Sequence, residues 1–189
     1  MTDKLTHALV AKRATALIKR LHGCFIGAVE FSGGWSGEHV DGIAFNAWGS
    51  FLIEAKVSRA DFLADSKKEF RIKPETGVGK FRYYACPVGL ISPEEIPEKW
   101  GLIYVPEKGK CTMPKGYGGN IKIGEQKNPL YGWSEPIYDR YGDRFSNALA
   151  DEDSAFRFYQ NEFCQQKERN FLLYLAKRYK QNKFMDNIL

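Results

Sequence analysis

A chain of 189 residues is the right size for one domain, with room for a small appendage, and can bury a core without covalent or metal staples. Its composition, 43% hydrophobic and 27% charged, excludes disordered and fibrous classes and points to a soluble globular protein. The formal charge of +5 permits a polyanionic partner without requiring one.

Cys24, Cys86, Cys111 and Cys164 include no CxxC pair. That spacing argues against a zinc site and against a disulfide framework, and for reduced thiols. No apolar run approaches the roughly 20 residues of a bilayer span, and "MTDKLTHALVAKR" has no signal-peptide core. A cytoplasmic protein with no membrane partner is the expectation.

In chain order, Thr2 to Leu21 reads as a helix capped by Thr2 or Asp3. Val10, Ala14, Leu17, Ile18 and Leu21 form its apolar stripe, and His22–Gly23 ends it. "CFIGAVEF", "VDGIAFN" and "SFLIEAKV" are three strands. "SGGWSGEH" is the loop between the first two, and a tight "AWG" turn joins the second to the third; together the strands make an antiparallel meander. "SRADFLADSKKEFRI" is one helix capped by Ser58, with Phe62, Leu63, Phe70 and Ile72 as its apolar contacts. "KFRYYACPV" and "GLIYV" are two more strands, separated by a turn or short helix at "SPEEIPEKW". From Pro106 to Tyr141 glycine, proline, lysine and tyrosine dominate. A hairpin is expected around Lys110 to Lys122, followed by irregular chain that is functional or pinned to the core. Asp151 to Phe184 is helical with a break near Gln165 to Glu168. Phe156, Tyr159 and Phe163 form one stripe there, and Leu172, Leu175 and Tyr179 another. The expected architecture is α/β, a mixed sheet with helices on both faces.

Residues two apart in a strand share a face. Glu54 and Lys56 therefore point one way, and Phe51, Ile53, Ala55 and Val57 point the other way into a core. Asp41 opens the preceding strand, and antiparallel pairing through the "NAWGS" turn brings it beside Glu54. Two carboxylates alone at such a place repel, and one takes up a proton. A divalent cation removes the conflict, and Mg²⁺ is satisfied by one or two carboxylates plus waters. Lys56 is then left with three open roles: orienting water, deprotonating it, or stabilising charge on a phosphate.

Asp41, twelve intervening residues, then Glu54-x-Lys56 resembles the PD-(D/E)xK nuclease signature. The order helix, three-strand meander, helix, strand is similar to that superfamily's αβββαβ core, the restriction-endonuclease-like fold. "EAKVSRADFLADSK", "YYACP" and "IPEKWGLIYV" are most similar to its MmcB-like DNA-repair branch. The resemblance covers Thr2 to Val105. It implies a nuclease-like core over residues 1–105, with the glycine- and aromatic-rich segment and C-terminal helices of 106–189 packed on the same domain. It implies a Mg²⁺-dependent deoxyribonuclease, with Mn²⁺ able to substitute, acting on DNA in repair or in mobile-element or phage biology. Asp41, Glu54 and the Ala55 carbonyl would be metal ligands, with Glu30 as an additional one, and Lys56 would act on the water. Val40 stands where the family name has proline, and the first helix lacks the glutamate that some members carry. The alternative is a nucleic-acid-binding protein that keeps this fold without cutting. Oligomeric state is open, a dimer included.

Ordinary structural roles compete with each of these. Asp41 followed by Gly42 can cap a turn. Glu54 and Lys56 can be an exposed ion pair contributing roughly 0–1 kcal/mol. Glu30 can be a solvated strand residue. Lys67, Lys68 and Arg71 are the expected DNA contacts within a larger basic and aromatic cluster, which also reads as a solvated helix face. His7, His22 and His39 are too scattered for a zinc motif, and "GYGGN" reads as a turn.

Overall fold

The computed structural model describes residues 5–32, 38–116 and 158–186, the last six by backbone alone. The expected caps Thr2 and Asp3, the "GYGGN" turn beyond Gly116 and most of the tyrosine-rich segment lie outside the described residues. Helix α1 (His7–Leu21) is instead capped by Thr6, whose hydroxyl accepts the Leu9 N–H at 3.3 Å. Val10, Ala11, Ala14 and Ile18 are buried. The helix ends at His22 and Gly23, whose φ of 59° is a conformation open to glycine at little cost.

The sheet contains β1 (Ile26–Ser32), β2 (His39–Asn46), β3 (Gly49–Ala55), β4 (Phe81–Pro87), β5 (Trp100–Val105) and β6 (Thr112–Lys115), in that spatial order. β1–β2–β3 is the expected antiparallel meander. β4 and β5 run parallel to β3, and β6 returns antiparallel to β5. Asn46 sets the β2–β3 turn. Its side-chain oxygen accepts the N–H groups of Trp48 (2.8 Å) and Gly49 (3.2 Å), an arrangement for which a short amide side chain is suited. That turn fixes the register Asn46↔Gly49, Ile43↔Leu52 and Gly42↔Ile53.

Each face of the sheet has its own core. On one, Val10, Ala14 and Ile18 of α1 meet Phe51, Ile53, Ala55 and Tyr83. Gly42 lets the helix come this close, because a Cβ there would lie 2.1 Å from the Thr15 hydroxyl oxygen. On the other, Ile43, Leu52, Tyr84 and Leu102 are covered by Phe171 and Leu175 of α4 (Gln165–Asp186). Burial raises the Cys24 thiol to about 12 and the Cys86 thiol to about 11, so neither is a thiolate at neutral pH. Among the described residues no helix is long and apolar enough to cross a membrane.

Three local expectations differ from the structure. The single helix expected after Ser58 is two: α2 (Arg59–Asp65) and α3 (Glu69–Ile72). Ser58 does cap α2, accepting the Asp61 N–H at 3.2 Å. The chain then breaks with Lys68 extended (φ −67°, ψ 141°), which returns Lys68 and Arg71 to the buried Asp65. Phe62 packs edge-on against Tyr84 at 5.2 Å, whereas Leu63, Ile72 and Val57 are exposed. In the C-terminal region the helix expected from Asp151 begins only at Gln165, and residues 160–164 are not helical. Its buried residues are Glu168, Phe171 and Leu175, while Leu172 and Tyr179 are exposed. The buried spacing of three and four is helical; an anchoring glutamate within it has no hydropathy signal.

Candidate functional site

The β2–β3 ladder ends at Gly42↔Ile53, and Asp41 and Glu54 are the residues one step beyond it. Here a side chain replaces the backbone rung: the Ala55 N–H donates to Asp41 Oδ2 at 2.8 Å. The next N–H, from Lys56, goes the other way to the Ala85 carbonyl at 2.8 Å. Because N–H and C=O of one strand residue face the same edge, the Ala55 carbonyl faces the Asp41 side. Asp41 and Glu54 thus stand, close enough for their charges to interact, where two strands part. Burial, and then the Glu54 charge, raise the Asp41 carboxyl above its usual range, against the lowering effects of His7, the Ala55 N–H and Lys56.

Glu54 is 5% exposed and Lys56 2%, so they are not a solvated ion pair. Lys56 Nζ lies 3.6 Å from Glu54 Oε2 and 3.0 Å from Asp65 Oδ1. Asp65, which carried no sequence signal of its own, is the hub. It also receives Lys68 Nζ at 2.8 Å, Arg71 Nε at 2.6 Å and the Tyr84 hydroxyl at 2.7 Å. Burial pushes the Asp65 carboxyl up, but the Arg71 charge and the hydrogen bonds from Lys68, Tyr84 and Arg71 outweigh it and hold the group well below its usual range. Arg71 reaches Glu54 as well, at 3.0 Å, and lies over the Trp100 ring at 4.6 Å. Tyr84 stacks on Trp100 at 4.5 Å. This aromatic floor keeps water from beneath the charges and strengthens every pairing above it.

The expected nucleic-acid contacts therefore separate. Lys67 is exposed. Lys68 sits at the rim, its side chain 45% exposed, shared with Asp65 and with Glu54 at 3.5 Å. Arg71 is nearly buried and committed to the two carboxylates. Glu30 is exposed and occupies the register position opposite Asp41, between Val29↔Gly42 and Phe31↔Val40. Its φ of 47° is left-handed, which costs a residue with a side chain roughly 1–2 kcal/mol. His7 was not singled out by sequence for this site, yet its Nε2 lies 3.3 Å from Asp41 Oδ2. It occupies the first turn of α1, the helix noted above for lacking a glutamate.

Among the described residues no three His, Cys, Asp or Glu side chains are grouped as metal ligands. The donors present, two carboxylates and a backbone carbonyl, suit a hard cation that binds oxygen and retains waters; they do not suit zinc, which takes sulfur and nitrogen. Burial foremost, and then the Glu54 charge, raise the Asp41 carboxyl, and a cation held between the two acids would relieve both effects.

No protein-family model matches the chain, and no curated protein does. Among solved structures it is similar to a protein of unknown function from Silicibacter pomeroyi, at 16% identity and a TM-score of 0.56, over 97% of this chain and 94% of that one. At that identity the likeness is one of fold: an α/β architecture built on a mixed sheet with flanking helices.

Proposed function

We propose that the protein is a Mg²⁺-dependent phosphodiester hydrolase acting on DNA, built on a restriction-endonuclease-like core, with a role in repair or in mobile-element or phage biology. The observation that carries this reading is the end of the β2–β3 ladder. There Asp41 takes the Ala55 N–H at 2.8 Å and Glu54 lies one step beyond the last pair, with the Lys56 ammonium 3.6 Å from Glu54. The order of α1, an antiparallel meander, a helix and a strand parallel to β3 agrees with the core implied by the sequence resemblance.

In this reading Asp41, Glu54 and the Ala55 carbonyl would hold the ion, which would supply Lewis acidity and a more acidic bound water. Arg71, Lys68 and Lys56 ring the Glu54 carboxylate and fix its position. Asp65 fixes the position of the Lys56 ammonium, which orients water or offsets charge on the phosphate. Lys67 and Lys68 at the rim meet backbone phosphates.

One observation favours a second reading, a nucleic-acid-binding protein that does not cut. Lys56 is nearer to Asp65, at 3.0 Å, than to Glu54, and so is spent on a structural network. Incubating the protein with labelled single- and double-stranded DNA in Mg²⁺, in Mn²⁺ and in chelator separates the two. Cleavage that requires the ion and is lost in a folded Lys56→Ala variant is expected. Salt-sensitive binding with no cleavage in either metal would establish the second reading, and neither binding nor cleavage would remove both.

A further inference from the structure

The most basic element of the fold takes no part in the site described above. Helix α4, Gln165–Asp186, has six basic and two acidic residues among its 22, a surplus of four in a chain whose formal charge is +5. At 1.5 Å per residue it is about 33 Å long. Its first half is anchored: Glu168 accepts from the Ser50 hydroxyl and from the Gly79 N–H at 2.9 Å, and Phe171 and Leu175 enter the core. From Ala176 through Lys180 every side chain is exposed. On the helical wheel Arg169, Lys177 and Lys180 fall opposite the buried face.

The helix also runs toward the candidate site. It starts beside Gly77, which accepts the Cys164 N–H at 2.8 Å, and passes Ser50 at the far end of β3. It then reaches Phe31, where the Arg178 guanidinium lies 5.9 Å from the ring centroid. Phe31 pairs with Val40, the neighbour of Asp41. The exposed Tyr174 ring is 6.0 Å from Phe31, and Tyr179 is 63% exposed.

We infer that the second half of α4 is a nucleic-acid backbone-binding arm, in which Lys177, Arg178 and Lys180 pair with phosphates of the strand that enters the Asp41–Glu54 site. This rests on the proposed nucleic-acid substrate, and it adds the surface that grips that substrate. Repeated phosphates match Lys177 and Lys180 on one outward face with Arg178 beside them at the Phe31 edge, and exposed tyrosines offer stacking faces to unpaired bases. An anionic bilayer matches the arm less well. The apolar residues of α4 crowd between Phe171 and Leu175, and Tyr179, Phe184 and Met185 in the basic half are not spaced as the stripe that a helix lying in a membrane surface requires.

The full-length chain carrying Lys177→Glu, Arg178→Glu and Lys180→Glu together tests this. Fluorescence anisotropy with a labelled duplex and a labelled single strand is measured in chelator, so the result is independent of whether the protein cuts. A variant with Lys12→Glu, Lys99→Glu and Lys108→Glu carries the same charge change elsewhere. The arm variant is expected to bind at least about tenfold more weakly at 100 mM salt, with a salt slope smaller by about 2–3, roughly one for each phosphate left without its cation. The control is expected to lose less than half of that on a logarithmic scale. Equal losses in both variants, or unchanged binding in a folded arm variant, overturn the inference. So does wild-type protein that sediments with phosphatidylserine vesicles while the arm substitutions leave DNA binding intact.

Discussion

Asp65→Ala is expected to lower the unfolding free energy by about 3–5 kcal/mol, the range for removing one member of a buried charge network. Asp65 is fully buried and is met by Lys56, Lys68, Arg71 and the Tyr84 hydroxyl. Alanine leaves three cations crowded on Glu54 above an aromatic floor, and Lys56, 2% exposed, cannot turn to water. Asp65→Asn keeps the shape and an acceptor for Tyr84, so its loss is expected to be smaller than that of the alanine variant. Urea denaturation at neutral pH checks both, and a loss under about 1 kcal/mol for Asp65→Ala would show that the network carries little of the fold.

The same residue predicts the acid limb. Its folded pKa lies below the ordinary 3.8, so as pH falls the unfolded chain takes up its proton first. The stabilisation is complete above about pH 4 and is lost as pH falls through the folded value. Glu38 and Glu168 work in the opposite sense. Burial foremost raises both carboxyls, so the folded chain binds those protons first and their contribution grows as pH falls from neutral. Wild-type stability is therefore expected to peak on the mildly acidic side of neutrality and then drop steeply. Asp65→Asn is expected to flatten the drop while leaving the rise.

Asp41→Asn has the largest expected effect on activity. An asparagine side-chain oxygen can still accept the Ala55 N–H, and the change removes a charge that Glu54 disfavours. The fold should persist, with a Tm within a few degrees of wild type. The carboxylate, however, is one of two that would hold the ion. Its loss is expected to slow cleavage at least about a thousandfold, equivalent to about 4 kcal/mol of transition-state stabilisation. An unfolded Asp41→Asn variant in a circular dichroism melt would make Asp41 a structural residue, and a folded variant with wild-type cleavage would remove it from the chemistry.

What could be read from the sequence was set by neighbours close along the chain. Strand alternation put Glu54 and Lys56 on one face, where they lie 3.6 Å apart, and the Asn46 turn set the β2–β3 register up to Gly42↔Ile53; both are local. Gly42 was ambiguous because a glycine after an aspartate is a common turn. Its actual use, admitting Thr15 of α1, depends on a helix far earlier in the chain. Asp65 and Arg71 were illegible as a pair. Each looks like a solvated helix residue until the break at Lys68 folds them together over Trp100. The buried Glu168 and Arg82 are similar cases. Arg82 donates to the carbonyls of Gly79, Pro74 and Glu162, and in sequence it is one more basic residue within a strand. Composition records charge; it does not record which charge meets a partner out of water.

Crystals soaked in Mn²⁺ and measured near the manganese absorption edge would put the reading to its most direct trial. One anomalous peak in contact with the carboxylates of Asp41 and Glu54, and absent from Asp41→Asn crystals treated alike, is the outcome expected. A soaked wild-type crystal with no ion between those two acids, or with manganese bound only at some other place, would contradict it.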